Sequence, residues 1–182
     1  MGTPSFIPHK SKVGESCCVS LVGMAGAGKS TIGRELAALL DWAHIDTDNS
    51  IEALYGTRLQ NLTDIVEKQD FLDLEGEVIS RLKLCRCVIS TGGSVAYRKK
   101  GVDHLKTLGP IVHIAVPLDI VLERIARKPD RGLAIAPGQT LEDLYNERMP
   151  LYEAIADFTI PGGRAPAASY AAQIAAWLQE EA

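Results

Sequence analysis

Residues 23–30 constrain the fold of this chain more than any other segment. They read Gly-Met-Ala-Gly-Ala-Gly-Lys-Ser and fit the pattern G-x-x-x-x-G-K-[ST] at every fixed position. A buried-strand pattern at residues 17–22 precedes them, and a helix pattern at residues 30–40 follows. Glycines let backbone N–H groups curl around a phosphate, and the helix N terminus adds partial positive charge. We therefore predict a nucleoside triphosphate site in this phosphate loop, with Lys29 reaching the β- and γ-phosphates and Ser30 a ligand of Mg²⁺.

The rest of the chain alternates short apolar runs with helical patterns. Further strands are predicted at residues 43–45, 87–90, 111–116 and 158–160. Further helices are predicted at residues 51–55, 62–84, 118–127, 141–154 and from 167 onward. Continuous apolar strands that alternate with helices are typical of a parallel sheet covered by helices on both faces.

Length and composition fit one domain of ordinary globular type. The chain has 182 residues, 46% of them hydrophobic and 23% charged. Residues 1–16 are expected to form a disordered leader without a signal peptide, ahead of a single domain at 17–182. A formal net charge of -4 argues against nucleic acid as the main partner, and no apolar run is long enough to cross a membrane. The four cysteines, at positions 17, 18, 85 and 87, are expected to be small core residues in a reducing cytoplasm.

Two carboxylates, Asp46 and Asp48, follow the predicted second strand. The carboxyl ends of parallel strands share one crevice with the phosphate loop, and side chains at positions i and i+2 point to the same side of a strand. Both carboxylates are therefore expected to face the γ-phosphate, one holding Mg²⁺ and the other orienting or deprotonating an attacking hydroxyl. The alternative is that Asp48 only caps the helix that follows.

Glycines and arginines supply the remaining candidates. Gly92 and Gly93 end the strand at 87–90, where paired glycines permit close approach to a ligand or simply form a turn. Residues 128–138, with two prolines and two glycines, are expected to form a mobile loop that carries Arg131. A phosphoryl-transfer site needs cations, and an arginine on a mobile loop supplies one when the loop closes over the site. The alternative is that each lone arginine is a solvated surface residue, which is the more common case.

The order and spacing of these motifs resemble the shikimate kinases, within the nucleoside-monophosphate-kinase-like group of phosphate-loop proteins. The similarity covers about residues 19–160. It is carried by Gly-Met-Ala-Gly-Ala-Gly-Lys-Ser-Thr at 23–31, Ile-Asp-Thr-Asp at 45–48, Gly-Gly at 92–93, the segment around Arg131, and Arg-Met-Pro-Leu-Tyr at 148–152. The resemblance implies a three-layer α/β/α fold with a five-stranded parallel sheet, a lid at about 128–138 and a small helical substrate subdomain at about 51–84.

The resemblance also implies roles for individual residues. Phosphoryl transfer is assigned to Lys29, Asp48 and Arg131, and Mg²⁺ to Ser30 and Asp46. Nucleotide binding is assigned to Gly26, Ala27, Gly28, Lys29, Ser30, Thr31, Arg124 and Arg164. Binding of the acceptor is assigned to Asp48, Gly92, Gly93 and Arg148.

Two departures from the family pattern fall on the acceptor side. The family has Phe-Arg on its substrate helix, and that arginine clamps the acceptor carboxylate, whereas this chain has Phe71-Leu72; Ser94 stands where a third glycine is usual. Leucine cannot replace a bidentate arginine contact and is expected to make that wall of the pocket apolar. Arg58 or Arg81 are the candidates for compensation. Asp73 and Glu75 can pair with an ammonium group, but a solvated helix face is the expected role of each.

The sequence thus predicts an ATP- and Mg²⁺-dependent kinase of amino-acid biosynthesis. Its acceptor is a small hydroxylated carboxylate, either shikimate or a smaller acid such as homoserine. The alternative is a non-catalytic nucleotide-binding regulator derived from such a kinase. We expect a cytoplasmic monomer that binds neither nucleic acid nor membrane.

Overall fold

The computed structural model describes residues 18–127, 133–136 and 138–180. The expected leader at 1–16, Arg131 and most of the expected lid lie outside these residues. Within the described part of the chain, no helix has the length and apolar character needed to span a membrane.

Five parallel strands form one sheet in the order β2-β3-β1-β4-β5. The strands are β1 (Cys18–Val22), β2 (Ala43–Asp46), β3 (Cys87–Ser90), β4 (Ile111–Ala115) and β5 (Phe158–Pro161). The expected five-stranded parallel sheet is confirmed. The central strand β1 lies between β3 and β4, so the loop that follows it opens into the crevice at the carboxyl edge of the sheet.

Eight α-helices of the described residues surround this sheet. They are α1 (Lys29–Leu40), α2 (Thr47–Tyr55), α3 (Leu59–Ile65), α4 (Lys68–Ser80), α5 (Lys99–Leu108), α6 (Leu118–Ala126), α7 (Leu141–Ile155) and α8 (Ala167–Glu180), with a short 3₁₀ turn at Val95–Tyr97. Helix α1 packs on α8, and α4 packs on α5. The three-layer α/β/α class is confirmed.

The predicted helix at 62–84 is wrong, because this region forms two helices. Val66 and Glu67 have extended backbones and separate α3 from α4. The break lets Leu62 of α3 and Phe71 of α4 enter the same apolar cluster, which one straight helix would not allow. Helix α5 is an element that the apolar pattern did not indicate.

The buried apolar residues form two groups. The larger one covers the sheet and includes β1 and β3 with α1 and α8. The smaller one, called here the second cluster, contains Ile51, Leu59, Leu62, Phe71, Leu72 and Ala134. Helices α2 to α4 carry most of the second cluster and span the segment expected to bind the acceptor. A substrate subdomain at about 51–84 remains a prediction, and the second cluster gives this segment an apolar core of its own.

Cys17 lies outside the described residues, and the three described cysteines are of two kinds. Cys18 and Cys87 are buried free thiols on neighbouring strands, as expected. Cys85 is exposed in the loop before β3 and is disulfide-bonded. The expectation of a small core residue is therefore wrong for Cys85.

Candidate active site

The phosphate loop connects β1 directly to α1. Gly23 has φ of 141°, and a Cβ there would lie 2.8 Å from the Ile114 carbonyl oxygen of β4. Gly28 has φ of 97° and is the N-cap residue of α1. Both positions require glycine, because a side chain would strain the backbone or collide with the neighbouring strand. The strand–loop–helix arrangement expected of a phosphate site is therefore present.

The Lys29 side chain extends back to the first residues of the phosphate loop. Its side chain is buried, and Nζ donates hydrogen bonds to the carbonyl oxygens of Gly23, at 2.7 Å, and Met24, at 2.9 Å. The ammonium group is therefore held at the carboxyl end of β1, next to the N terminus of α1. A cation in this place stabilises phosphate oxygens bound by the loop.

Asp46 links the phosphate loop to α2. The Ser30 hydroxyl donates to Asp46 Oδ2 at 2.5 Å, and the backbone N–H of Asp48 donates to Asp46 Oδ1 at 3.0 Å. Asp46 is therefore the N-cap of α2, and Asp48 lies in the first helical turn. The alternative that Asp48 caps this helix is wrong. The strand-alternation argument is also wrong for Asp48, because β2 ends at Asp46.

The Ser30 and Asp46 side chains fit Mg²⁺. Hydroxyl and carboxylate oxygens are the hard ligands that this ion prefers, and it commonly takes one or two protein ligands together with phosphate oxygens and water. Within the described ranges, no group of three or more histidine, cysteine or acidic side chains is arranged to hold a metal by itself. Because Ser30 and Asp46 supply two oxygen donors, they suit an ion that also binds nucleotide phosphates and water.

One cavity of about 670 Å³ joins the phosphate loop to the predicted acceptor side. On the nucleotide side it is lined by Gly26, Gly28, Lys29, Ser30 and Thr31, and on the acceptor side by Asp46, Asp48, Arg58, Phe71, Gly93, Ser94 and Arg148. Most of the residues singled out from sequence thus face a single space. Gly92 is buried and is not among the residues that line this cavity.

A second hollow of about 340 Å³ lies on the other side of the phosphate loop. Ala27, Arg124 and Tyr170 are among the residues that line it. Arg124 Nη1 donates to the Gly26 carbonyl at 3.0 Å, and its Nη2 donates to the Gly163 carbonyl. Arg164 does not line either cavity; its guanidinium is exposed and pairs with Glu123 at 2.7 Å.

Arg148 of α7 is the arginine most firmly held at the acceptor side. It is 2% exposed, its Nη2 donates to the Ala134 carbonyl at 2.9 Å, and its Nε donates to the Tyr97 hydroxyl at 3.3 Å. The guanidinium also lies 5.3 Å from the centre of the Tyr97 ring. Tyr97 in turn donates to Glu147 at 2.6 Å. Tyr97 was missed by the sequence analysis, since nothing in its neighbourhood marks it.

Glu75 is also buried at this site, although a solvated helix face was expected. It is 1% exposed, and its Oε1 has no hydrogen-bond partner among the described residues. Burial and the nearby Asp48 carboxylate raise the pKa of Glu75 to about 7, against the opposing effects of a Ser94 hydrogen bond, Arg148 and Lys29. Asp73, by contrast, is exposed and pairs with Arg98.

A sequence signal for Glu75 did exist. The buried positions of α4 are Phe71, Leu72, Glu75, Gly76 and Ile79. Their spacing follows one helical face, so the carboxylate lies inside an apolar stripe. A charged residue on such a stripe indicates either a buried partner or a function.

The two glycines after β3 make room for the charged groups. A Cβ on Gly92 would overlap Glu75 Oε1 and lie 2.6 Å from Asp48 Oδ1. A Cβ on Gly93 would lie 2.9 Å from Arg148 Nη1. Glycine at both positions therefore allows two carboxylates and one guanidinium to approach the same stretch of backbone.

Leu72 does not form the cavity wall that was expected of it. It is 1% exposed and packs in the second cluster, while the neighbouring Phe71 lines the cavity. Of the two arginines considered as compensation, Arg58 lines the cavity. Arg81 is exposed and pairs with Glu77 at 2.6 Å.

Comparisons with known proteins agree with this geometry. The family model for shikimate kinase matches residues 25–179. The shikimate kinase of Pasteurella multocida is 37% identical over 160 residues, which cover 86% of this chain and 91% of that protein. The shikimate kinase of Mannheimia succiniciproducens is 39% identical over 147 residues, covering 79% and 84% of the two chains.

Solved structures show the same relationship. A shikimate kinase from Acinetobacter baumannii in complex with shikimate superposes with a TM-score of 0.83 at 31% identity and covers 90% of this chain and 93% of its own. Shikimate kinase from Aquifex aeolicus gives a TM-score of 0.72 at 26% identity, covering 90% and 96%. With its phosphate loop, its sheet order and these relatives in agreement, the chain belongs to the shikimate kinase family, and it is a small-molecule kinase that transfers a phosphoryl group to an alcohol.

Proposed function

We propose that this protein transfers the γ-phosphoryl group of ATP to a hydroxyl of a small carboxylate-bearing metabolite in amino-acid biosynthesis. The observation that carries the proposal is the cavity shared by the phosphate loop, Asp48 and Arg148. A donor phosphate and an acceptor acid bound in one cavity meet the main requirement of phosphoryl transfer, which is positioning.

The nucleotide phosphates bind to the backbone N–H groups of residues 26–31, with Lys29 beside them. Ser30 and Asp46 hold Mg²⁺, which when bound neutralises charge on the phosphate oxygens. Arg124 lies against the base of the nucleotide, in the second hollow that it lines. Arg164 is proposed as an outer contact on the same side of the nucleotide. Its guanidinium pairs with Glu123, the residue that precedes Arg124 in the chain.

Asp48 orients the acceptor hydroxyl and accepts its proton. The hydroxyl oxygen forms a bond to the γ-phosphorus, the bond from that phosphorus to the β–γ bridging oxygen breaks, and ADP leaves with the electron pair. Arg148 binds the carboxylate of the acceptor, and Gly92 and Gly93 let both groups approach it closely.

Arg131 is proposed to neutralise charge on the transferred group when a lid at about 128–138 closes. The measurement is hydrogen exchange of this segment with and without nucleotide and acceptor. We expect protection only when both are bound. Equal exchange in the free and bound protein would contradict a closing lid.

Shikimate is the first candidate acceptor, because the chain belongs to the shikimate kinase family and the similar Acinetobacter baumannii structure is a complex with shikimate. Homoserine is the second, and two buried residues favour it. Leu72 puts no cation at its own position of α4, and Glu75 adds a buried carboxyl group beside Asp48. An acceptor with an ammonium group would face Asp48 and favour the ionised form of Glu75, and Arg148 would still bind its carboxylate.

The deciding experiment measures ADP release with shikimate and with homoserine, in the native protein and in Leu72→Arg. Leu72→Met is the matched control, since it preserves an apolar side chain of similar volume. If homoserine is the acceptor, the native protein has a higher kcat/KM for homoserine than for shikimate, and Leu72→Arg shifts that ratio toward shikimate while Leu72→Met does not. Efficient shikimate turnover by the native protein, with no improvement in Leu72→Arg, would identify shikimate as the acceptor. It would also show that Leu72 carries no information about the substrate.

A further inference from the structure

Arg58 faces the acceptor site without an assigned role. It precedes α3, and its side chain lines the same cavity as Asp48 and Arg148. The residue is exposed. Within residues 18–127, 133–136 and 138–180, the structure gives its guanidinium neither a hydrogen bond nor an ion pair. A cation that lines an anion-binding cavity and has no internal partner is available to a ligand.

The local structure does not need an arginine at this position. Arg58 is the N-cap residue of α3 but makes no side-chain capping bond. Glu52 Oε1 instead accepts the backbone N–H of Leu59 at 2.8 Å. Serine, threonine, asparagine and aspartate are the usual capping residues, and a positive charge at a helix N terminus is unfavourable. Capping therefore does not explain the arginine.

Arg58 is also close to the place where the family pattern is broken. The next residue, Leu59, packs in the second cluster together with Phe71 and Leu72. Leu72 stands where the family carries its second carboxylate-binding arginine. An arginine at the start of α3 thus approaches the acceptor side from the helix that packs beside Leu72.

We propose that Arg58 is a binding residue for the carboxylate of the acceptor, paired with Arg148, and that it supplies the second cation that Leu72 cannot provide. The ligand class is a small hydroxylated monocarboxylate. This inference rests on the proposed function but holds for shikimate and homoserine alike. Two arginines that approach one carboxylate from α3 and α7 fix its orientation better than one.

The test compares each acid with its own carboxamide. Calorimetric Kd values in the presence of ADP and Mg²⁺, and kcat/KM with ATP, are measured for shikimate, homoserine and their carboxamides. The variants are Arg58→Gln, which removes the charge, and Arg58→Lys, which keeps it. Arg81→Gln is the matched control, because Arg81 is an exposed arginine of the same region that does not line the cavity.

We expect Arg58→Gln to weaken binding of the accepted acid by about tenfold to a hundredfold, the range for loss of a charged hydrogen bond. Binding of the carboxamide and of ADP should stay within about twofold. Arg58→Lys should recover part of the loss, and Arg81→Gln should match the native protein.

The two ways to fail are distinct. If the native protein binds an acid and Arg58→Gln binds it equally well, or loses acid and carboxamide in equal measure, Arg58 does not bind the carboxylate. If the native protein binds and turns over neither acid, both acceptors named under the proposed function are wrong, and the inference about Arg58 is wrong with them.

Discussion

The Ser30 hydroxyl donates a 2.5 Å hydrogen bond to Asp46 Oδ2, and the other oxygen of that carboxylate caps α2 through the N–H of Asp48. One side chain therefore connects the first turn of the phosphate-loop helix to the first turn of the helix that carries Asp48. Asp46 therefore links the proposed Mg²⁺ site to the position of the Asp48 side chain.

Asp46→Asn tests this link. The amide still caps α2, so the unfolding free energy should fall by no more than about 1 kcal/mol. Its neutral oxygen is a weaker ligand for a divalent cation, so the Mg²⁺ concentration for half-maximal activity should rise about tenfold or more. Asp46→Ala should lose the cap as well. An unchanged Mg²⁺ requirement in Asp46→Asn would contradict a metal role for this residue.

Lys29→Met tests charge at the phosphate loop. Methionine fills the buried path of the lysine stem and removes the ammonium group that contacts Gly23 and Met24. Turnover with any accepted acid should fall by about a thousandfold, because electrostatic stabilisation dominates this chemistry. The exposed residue Lys106 provides the control variant Lys106→Met. Near-native turnover in Lys29→Met would show that the mechanism proposed for this loop is wrong.

Asp48→Asn separates proton transfer from nucleotide binding. The amide keeps the shape of the side chain and cannot take a proton, so kcat should fall by about a hundredfold or more while the Kd for ATP stays close to native. Both quantities are measured on the same preparation, by a coupled assay and by calorimetry. An equal loss of ATP affinity and turnover would instead assign Asp48 to the metal or to structure.

Glu75 predicts a pH dependence of stability. Its pKa is about 7 in the folded protein against an ordinary value of 4.5, so the folded state binds the proton more tightly than the unfolded state. The stability that this group contributes is complete below pH 4.5 and is lost as the pH rises to 7. Relative to Glu75→Gln, the native protein should lose about 3 kcal/mol of unfolding free energy across that window.

The measurement is denaturant unfolding of both proteins at several pH values. Glu77→Gln is the control on the same helix, because Glu77 is partly exposed and its pKa is lowered by Lys100 and Arg81. That variant retains Glu75 and should show the same loss as the native protein. A free-energy difference between the native protein and Glu75→Gln that stays constant from pH 4.5 to 7 would contradict the protonated, buried state of Glu75.

Local sequence determined the parts of this protein that depend on neighbours along the chain. The strand at Cys87–Ser90 and the start of the helix at Leu141 match their predicted positions. The phosphate loop could be found from residues 23–30 alone, because each fixed position answers a local demand: backbone curvature, a cation, or a hydroxyl at a helix N terminus. Continuous apolar strands were enough to predict a parallel sheet covered on both faces.

Only the tertiary structure decided which distant groups meet. Glu75 meets Asp48 at the backbone of Gly92, and Arg58 shares a cavity with Arg148. These residues lie on separate helices, and their contacts depend on how α2, α3 and α4 fold over the carboxyl edge of the sheet. The break at Val66 sets that packing, since it brings Leu62 and Phe71 into one cluster. Hydrophobic periodicity indicates which face of one helix is buried, but it carries no information about the angle between two helices. The charge pattern of the acceptor site depends on that angle.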